Sequence, residues 1–148
     1  MQLTLHADYA LRVLLYLGTL PPGQVASTAE ISTAYGISRN HLVRVVQTLA
    51  KSGYVVVTGG RQGGVALARN PEAIRLGDVI RHAETNLRVV ECFDKKTNTC
   101  PIISICALKP VIAQALDAFL AVMDSYTLAS MLDKTKGSRL AKVFASQR

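Results

Sequence analysis

The sequence predicts a mainly α fold with a small β-hairpin wing: a winged helix-turn-helix domain followed by a long dimerisation helix. Three observations carry this prediction. A capped short helix, a glycine and a second amphipathic helix follow one another between residues 28 and 51. Two β-branched runs then flank a glycine-rich turn. A further helix with a wide apolar band spans about residues 108–126.

The first helix is predicted over residues 5–20. Pro21, Pro22 and Gly23 stop it, because proline cannot continue a helix and glycine loosens one. Asp8 and Arg12 stand four apart and share a face. The apolar stretch at 10–20 is interrupted by Arg12, lacks a basic start and is too short to span a bilayer. It reads as a buried helix, and a cytoplasmic protein that does not engage a membrane is expected. In a reducing cytoplasm structural disulfides are disfavoured.

Ser27-Thr28-Ala29-Glu30 has the spacing of a capping box, which satisfies two orphan backbone donors at a helix start. A short helix should run to Tyr35, with Gly36 supplying the left-handed stop. Ser38 is placed to cap the next helix at once. Two helices joined in this way, with glycine in the turn, are a helix-turn-helix.

In the second of these helices Leu42, Val45, Val46 and Leu49 form one apolar stripe. Asn40, Arg44, Gln47 and Lys51 project on the opposite side, with Arg39 and His41 in the first turn. Such side chains suit a major groove: Arg forks onto guanine, Asn and Gln pair with adenine, and Lys meets phosphate. An amphipathic helix with a solvated polar face would look the same in isolation; the neighbouring elements favour the DNA reading. Thr28 and Ser38 join these six as candidate DNA contacts.

The hairpin is predicted from strands at 54–58 and 65–67 around Gly59-Gly60-Arg61-Gln62-Gly63-Gly64. Arg61 and Gln62 at its tip are candidate contacts to the phosphate backbone or minor groove. The loop lacks the G-K-[ST] ending of a nucleotide cradle. A net charge of +7 favours a polyanionic partner. After Asn70-Pro71 a helix at 76–84 should pack Val79, Ile80 and Ala83 inward.

Cys92, Cys100 and Cys106 follow within fifteen residues, and an odd number argues against a closed disulfide set. The segment between the first two is too polar for a core. Zinc sites favour close C-x2-C pairs, which are absent. An iron–sulfur cluster suits thiolates spread along a loop, so spacing alone places it modestly ahead of zinc. A fourth ligand must then come from elsewhere.

In the helix at 108–126, Ile112, Leu116, Phe119 and Met123 form one row and Val111, Ala115, Ala118 and Val122 the next. So wide a band predicts packing on its own domain and on a second subunit, as in two-fold dimers on paired half-sites. The organisation expected is a winged domain at 1–84 (helix-turn-helix about 28–51, wing about 54–67), a cluster-binding loop at 85–106, a dimerisation helix and short helical turn at 107–132, and a flexible basic tail at 133–148, with Leu140, Val143 and Phe144 as candidate anchors of part of it. No nucleophile–base set or substrate motif accompanies these elements, so an enzyme is not expected.

From Leu3-Thr4 and Asp8-Tyr9-Ala10-Leu11-Arg12, through the Gly-Gly-Arg-Gln-Gly-Gly wing, to Glu91-Cys92-Phe93, Asn98-Thr99-Cys100-Pro101-Ile102 and Cys106-Ala107-Leu108, the chain resembles the bacterial Rrf-type winged-helix regulators. The resemblance covers roughly residues 1–132 and is strongest to the family's nitric-oxide-sensing repressors. It implies a homodimer on operator DNA with one iron–sulfur cluster per subunit, [4Fe–4S] favoured over [2Fe–2S]. Nitric oxide would nitrosylate the cluster and release the operator. A related branch uses a histidine soon after the third cysteine; here Lys109 stands there, and His6, His41 and His82 all precede the cysteines. The resemblance instead implies Asp8, from the partner's first helix, as the fourth ligand. The same fold sensing cluster supply or redox state, or a cluster-free thiol sensor, is the alternative reading.

Overall fold

The computed structural model describes residues 2–60 and 63–147, with the backbone alone at 134–136. Arg61 and Gln62 lie outside the described residues. Helix α1 (Leu5–Gly18) is the spine of the molecule. Thr4 caps it, its hydroxyl accepting from the Ala7 amide at 3.2 Å. It ends two residues earlier than predicted, because Thr19 and Leu20 donate to the carbonyls three residues back and tighten the last turn. Ala7, Ala10, Val13 and Leu14 are fully buried in the hydrophobic core.

Helix α2 (Thr28–Tyr35) carries the full capping box: the Glu30 amide donates to Ser27 Oγ at 3.1 Å, and the Ser27 amide to Glu30 Oε2 at 2.7 Å. Gly36 ends it at φ +64°, a left-handed conformation that side chains with a Cβ resist. Helix α3 (Arg39–Lys51) buries the predicted stripe of Leu42, Val45, Val46 and Leu49. The expected Ser38 side-chain cap is not made. The Ser38 carbonyl opens the helix instead, accepting from the amides of His41 and Leu42.

Strands β1 (Val55–Thr58) and β2 (Gly64–Leu67) pair antiparallel, with Val55 opposite Leu67 and Thr58 opposite Gly64. Ala26 and Val65 exchange both backbone hydrogen bonds, at 2.9 and 2.8 Å, which stitches the hairpin to the residues entering α2.

Helix α4 (Leu76–Ala83) buries Val79, Ile80 and Ala83. A loop with one 3-10 turn (Glu91–Phe93) leads to α5 (Leu108–Asp124) and the short α6 (Leu128–Met131). The Leu128 amide donates to Ile74 O at 2.8 Å and the Leu76 amide to Tyr126 O at 3.0 Å, so the chain returns to the winged domain after α5. Along α5 only Leu120 is buried. Ile112, Leu116, Phe119 and Met123 are half-buried, whereas the second predicted row is open, with Val111 58% and Val122 57% exposed.

The expectation of a flexible tail is corrected. Residues Lys134–Ala145 form helix α7. Phe144 is 5% exposed, and its ring lies 5.0 Å from that of Tyr16 and 5.1 Å from that of Tyr35. Three aromatic rings from three helices outweigh the charge-rich composition from which disorder was expected.

Candidate nucleic-acid interface and cysteine loop

Helix α3 presents a cationic, amide-bearing face. Arg39, Asn40, His41, Arg44, Gln47 and Lys51 are all exposed, and the helix contains no acidic residue. Among the described residues Arg39, Arg44 and Lys51 form no ion pair, so their donors are free for a ligand. Ser38 is exposed and Thr28, at the first position of α2, is half-buried.

The packing that aims this face was not legible from local pattern. Arg69, after the hairpin, donates from Nε to Gly53 O at 2.8 Å and from Nη2 to Ser52 O at 2.9 Å. It thereby satisfies carbonyls at the end of α3, where a cation also complements the helix dipole. Its guanidinium lies 4.8 Å from the Tyr54 ring. From α1, His6 Nε2 lies 3.0 Å from Thr48 Oγ1. The Tyr9 ring is 6.2 Å from that of His41, so one predicted base-reading side chain is packed on an aromatic.

Asp8 lies on the other side of α1 from these contacts. Arg12 donates from Nε to its Oδ1 at 3.0 Å and from Nη2 to its Oδ2 at 2.8 Å. Tyr35 completes the group: its hydroxyl donates to Arg12 O at 3.0 Å, and the guanidinium stands 5.9 Å from its ring. Burial pushes the Tyr35 hydroxyl up to about 12.

Cys92, Cys100 and Cys106 are free thiols, each half-buried, on the loop between α4 and α5. Glu91 organises that loop, its Oε1 accepting from both the amide and the hydroxyl of Thr99 at 2.8 Å. These bonds hold its carboxyl below the usual range, the Thr99 hydroxyl first. Asn98 Oδ1 accepts from the Cys100 amide at 3.2 Å, and Asp94 Oδ1 from the Lys96 amide at 3.0 Å. Arg88 pairs with Asp94. The donor chemistry of three free thiols fits an iron–sulfur group. Within one chain the structure does not gather them: among the described residues no three His, Cys, Asp or Glu converge on a metal-holding group. Asp8 stays with Arg12.

Fold and site define a class, the winged helix-turn-helix regulators of transcription, which read DNA and are not enzymes. The chain belongs to the Rrf2 family of iron-dependent transcriptional regulators, whose family model matches residues 3–134. It is 46% identical over 132 residues to the HTH-type transcriptional regulator NsrR of Halalkalibacterium halodurans, covering 89% of this chain and 90% of that protein. The NsrR of Bacillus subtilis is 44% identical over 132 residues, with the same two shares. Among solved structures, T. potens IscR superposes with a TM-score of 0.74 at 26% identity, covering 93% of this chain and 90% of its own. CymR (YrzC), the global cysteine regulator of B. subtilis, gives 0.69 at 25% identity, covering 88% and 95%. Among the described residues no helix is long and apolar enough to cross a membrane.

Proposed function

We propose that this chain is a cytoplasmic, homodimeric repressor that reads its operator through α3 and the wing and responds to nitric oxide. The observation that carries the reading is the placement of three free thiols on the one loop joining the DNA-binding domain to α5, in a chain so similar to NsrR proteins. The winged domain is 1–84, the cluster loop 85–106, and the dimerisation segment 107–132. Cys92, Cys100 and Cys106, with Asp8 of the partner subunit, would hold one [4Fe–4S] cluster per subunit. When bound, the cluster supplies iron at which nitric oxide reacts.

The chain's own residues do the rest. Arg39, Asn40, His41, Arg44, Gln47 and Lys51 meet the major groove, with Thr28 and Ser38 toward the backbone and Arg61 and Gln62 at the wing tip. The open row of α5, Val111, Ala115, Ala118 and Val122, packs on its counterpart and sets the separation of the two α3 helices. That separation must match half-sites about 34 Å apart. Asp8 must leave Arg12 to serve as a ligand, and Tyr35 then keeps Arg12 in place. Conditions that favour one α3 separation over the other shift operator occupancy in proportion to that preference.

The test is protein purified without oxygen. It should be brown and contain iron. It should lose its visible band and its operator affinity when nitric oxide is added. Replacing any of the three cysteines by alanine should abolish the colour. A colourless protein whose DNA affinity follows thiol oxidation would install the cluster-free sensor in its place. A coloured protein indifferent to nitric oxide would point to cluster supply or redox state as the signal.

A further inference from the structure

Most of the chain's excess positive charge resides in its last fifteen residues. Residues 134–148 hold Lys134, Lys136, Arg139, Lys142 and Arg148 and no carboxylate, a balance of +5 in a chain of net charge +7. Residues 1–133 share twelve lysines and arginines against ten carboxylates, a balance of only +2. The family match ends at residue 134, so Lys136, Arg139, Lys142 and Arg148 lie beyond it.

The charge is nevertheless held in place. Gly137, Leu140, Ala141 and Phe144 turn the less exposed face of α7 inward, and Phe144 is seated against Tyr16 and Tyr35. Tyr35 is the last residue of α2, immediately before the Gly36 turn into α3. Arg139 and Lys142, three apart, share the opposite face; both are exposed. Among the described residues neither has an ion-pair partner. A docked helix that keeps unneutralised cations outward, fixed to the helix-turn-helix, is complementary to a polyanion.

We propose that α7 is an auxiliary DNA-contacting helix, in which Arg139 and Lys142 meet backbone phosphates beside the operator half-site and add sequence-independent affinity. DNA is favoured over an anionic membrane because a surface-binding helix needs its apolar face free, and that of α7 is engaged by Tyr16 and Tyr35. The inference rests on the DNA-binding reading above.

The experiment measures binding of the full, anaerobically prepared protein to a random-sequence duplex across a salt series. Each phosphate contact contributes about 0.9 to the slope of log affinity against log salt. Carried on both subunits of the homodimer, the R139Q/K142Q change removes two contacts per protomer and should therefore lose about 3.6 of slope per dimer, with an unchanged melting temperature and an unchanged preference for operator over random duplex. A wild-type slope in this variant overturns the proposal. So does an unchanged DNA slope accompanied by lost binding to phosphatidylserine vesicles, which would make α7 a membrane contact. Arg44→Ala separates the two readings: it should reduce operator preference while leaving the α7 contribution to the slope. Wild-type protein that binds neither duplex would remove the DNA reading itself, and this proposal with it.

Discussion

Arg81 holds the carboxylate of Asp124 with both terminal nitrogens, at 2.6 and 2.7 Å, and so ties α4 to the far end of α5. Arg75 adds a bond to the Asp124 carbonyl at 2.9 Å. The pair joins the DNA-binding domain to the helix proposed for dimerisation. Asp124→Asn should lower the melting temperature only slightly, because the pair is partly exposed and screened by solvent. Arg81 holds the Asp124 carboxyl below its usual range. Its contribution is therefore present above the ordinary carboxylate pKa and is lost as pH falls through the lowered value. Melting scans of wild type and variant should stay apart from pH 7 down to about pH 4, where free aspartate titrates, and converge only below it. Curves that stay parallel would show the pair to be inert.

Gly77 belongs to the same joint. A Cβ there would stand 1.9 Å from Asp124 Oδ1 and 3.0 Å from Arg81 Nη1. Gly77→Ala should destabilise the wild type by displacing the carboxylate. In an Asp124→Ala background only the movable end of Arg81 remains close, and alanine's helix preference, roughly 0.5–1 kcal/mol, should make the same change stabilising. Urea titrations of the four proteins read the sign reversal directly; the same sign in both backgrounds would refute the link.

Ser27→Ala removes one arm of the capping box that starts α2. A loss of about 1 kcal/mol is expected, seen as a lower urea midpoint with an unchanged slope. Ser38→Ala should cost much less, because Ser38 makes no side-chain cap. Equal losses at the two serines would contradict the geometry.

Tyr35 predicts an alkaline dependence. Burial raises its hydroxyl to about 12, so the stability it contributes is complete below the free tyrosine value near pH 10 and is lost from there up to about 12. Tyr35→Phe should forfeit about 1 kcal/mol at neutral pH with the bond to Arg12 O. Above pH 10 the variant should lose stability less steeply than wild type.

The winged domain was legible because local signals agreed with one another. Ser27 with Glu30, the Gly36 stop and the Leu42–Leu49 stripe each specify an element within a few residues of sequence. What escaped was tertiary. Arg69 caps α3 from beyond the hairpin, and nothing near residue 69 says so. Phe144 was legible as a candidate anchor of the tail, but its partners were not: Tyr16 and Tyr35 lie more than a hundred residues away and convert a charged segment into a docked helix. At the cysteine loop the thiols were evident from composition and spacing. Their gathering around a common centre was not legible, and among the described residues of one chain no such group forms.

The reciprocal pair between Ala26 and Val65 closes residues 26–65 into a ring, with α2, α3 and β1 inside it. Fastening the two ends of that segment removes part of its conformational freedom, because the entropy of bringing them together has already been lost. The wing root and the recognition helix are then one gear rather than two fingers. A displacement of either is passed to the other through that pair and through the packing of β1 on α3. Operators with altered spacing between groove and flanking-backbone contacts should therefore be rejected outright, not accommodated by a wing that swings to meet them.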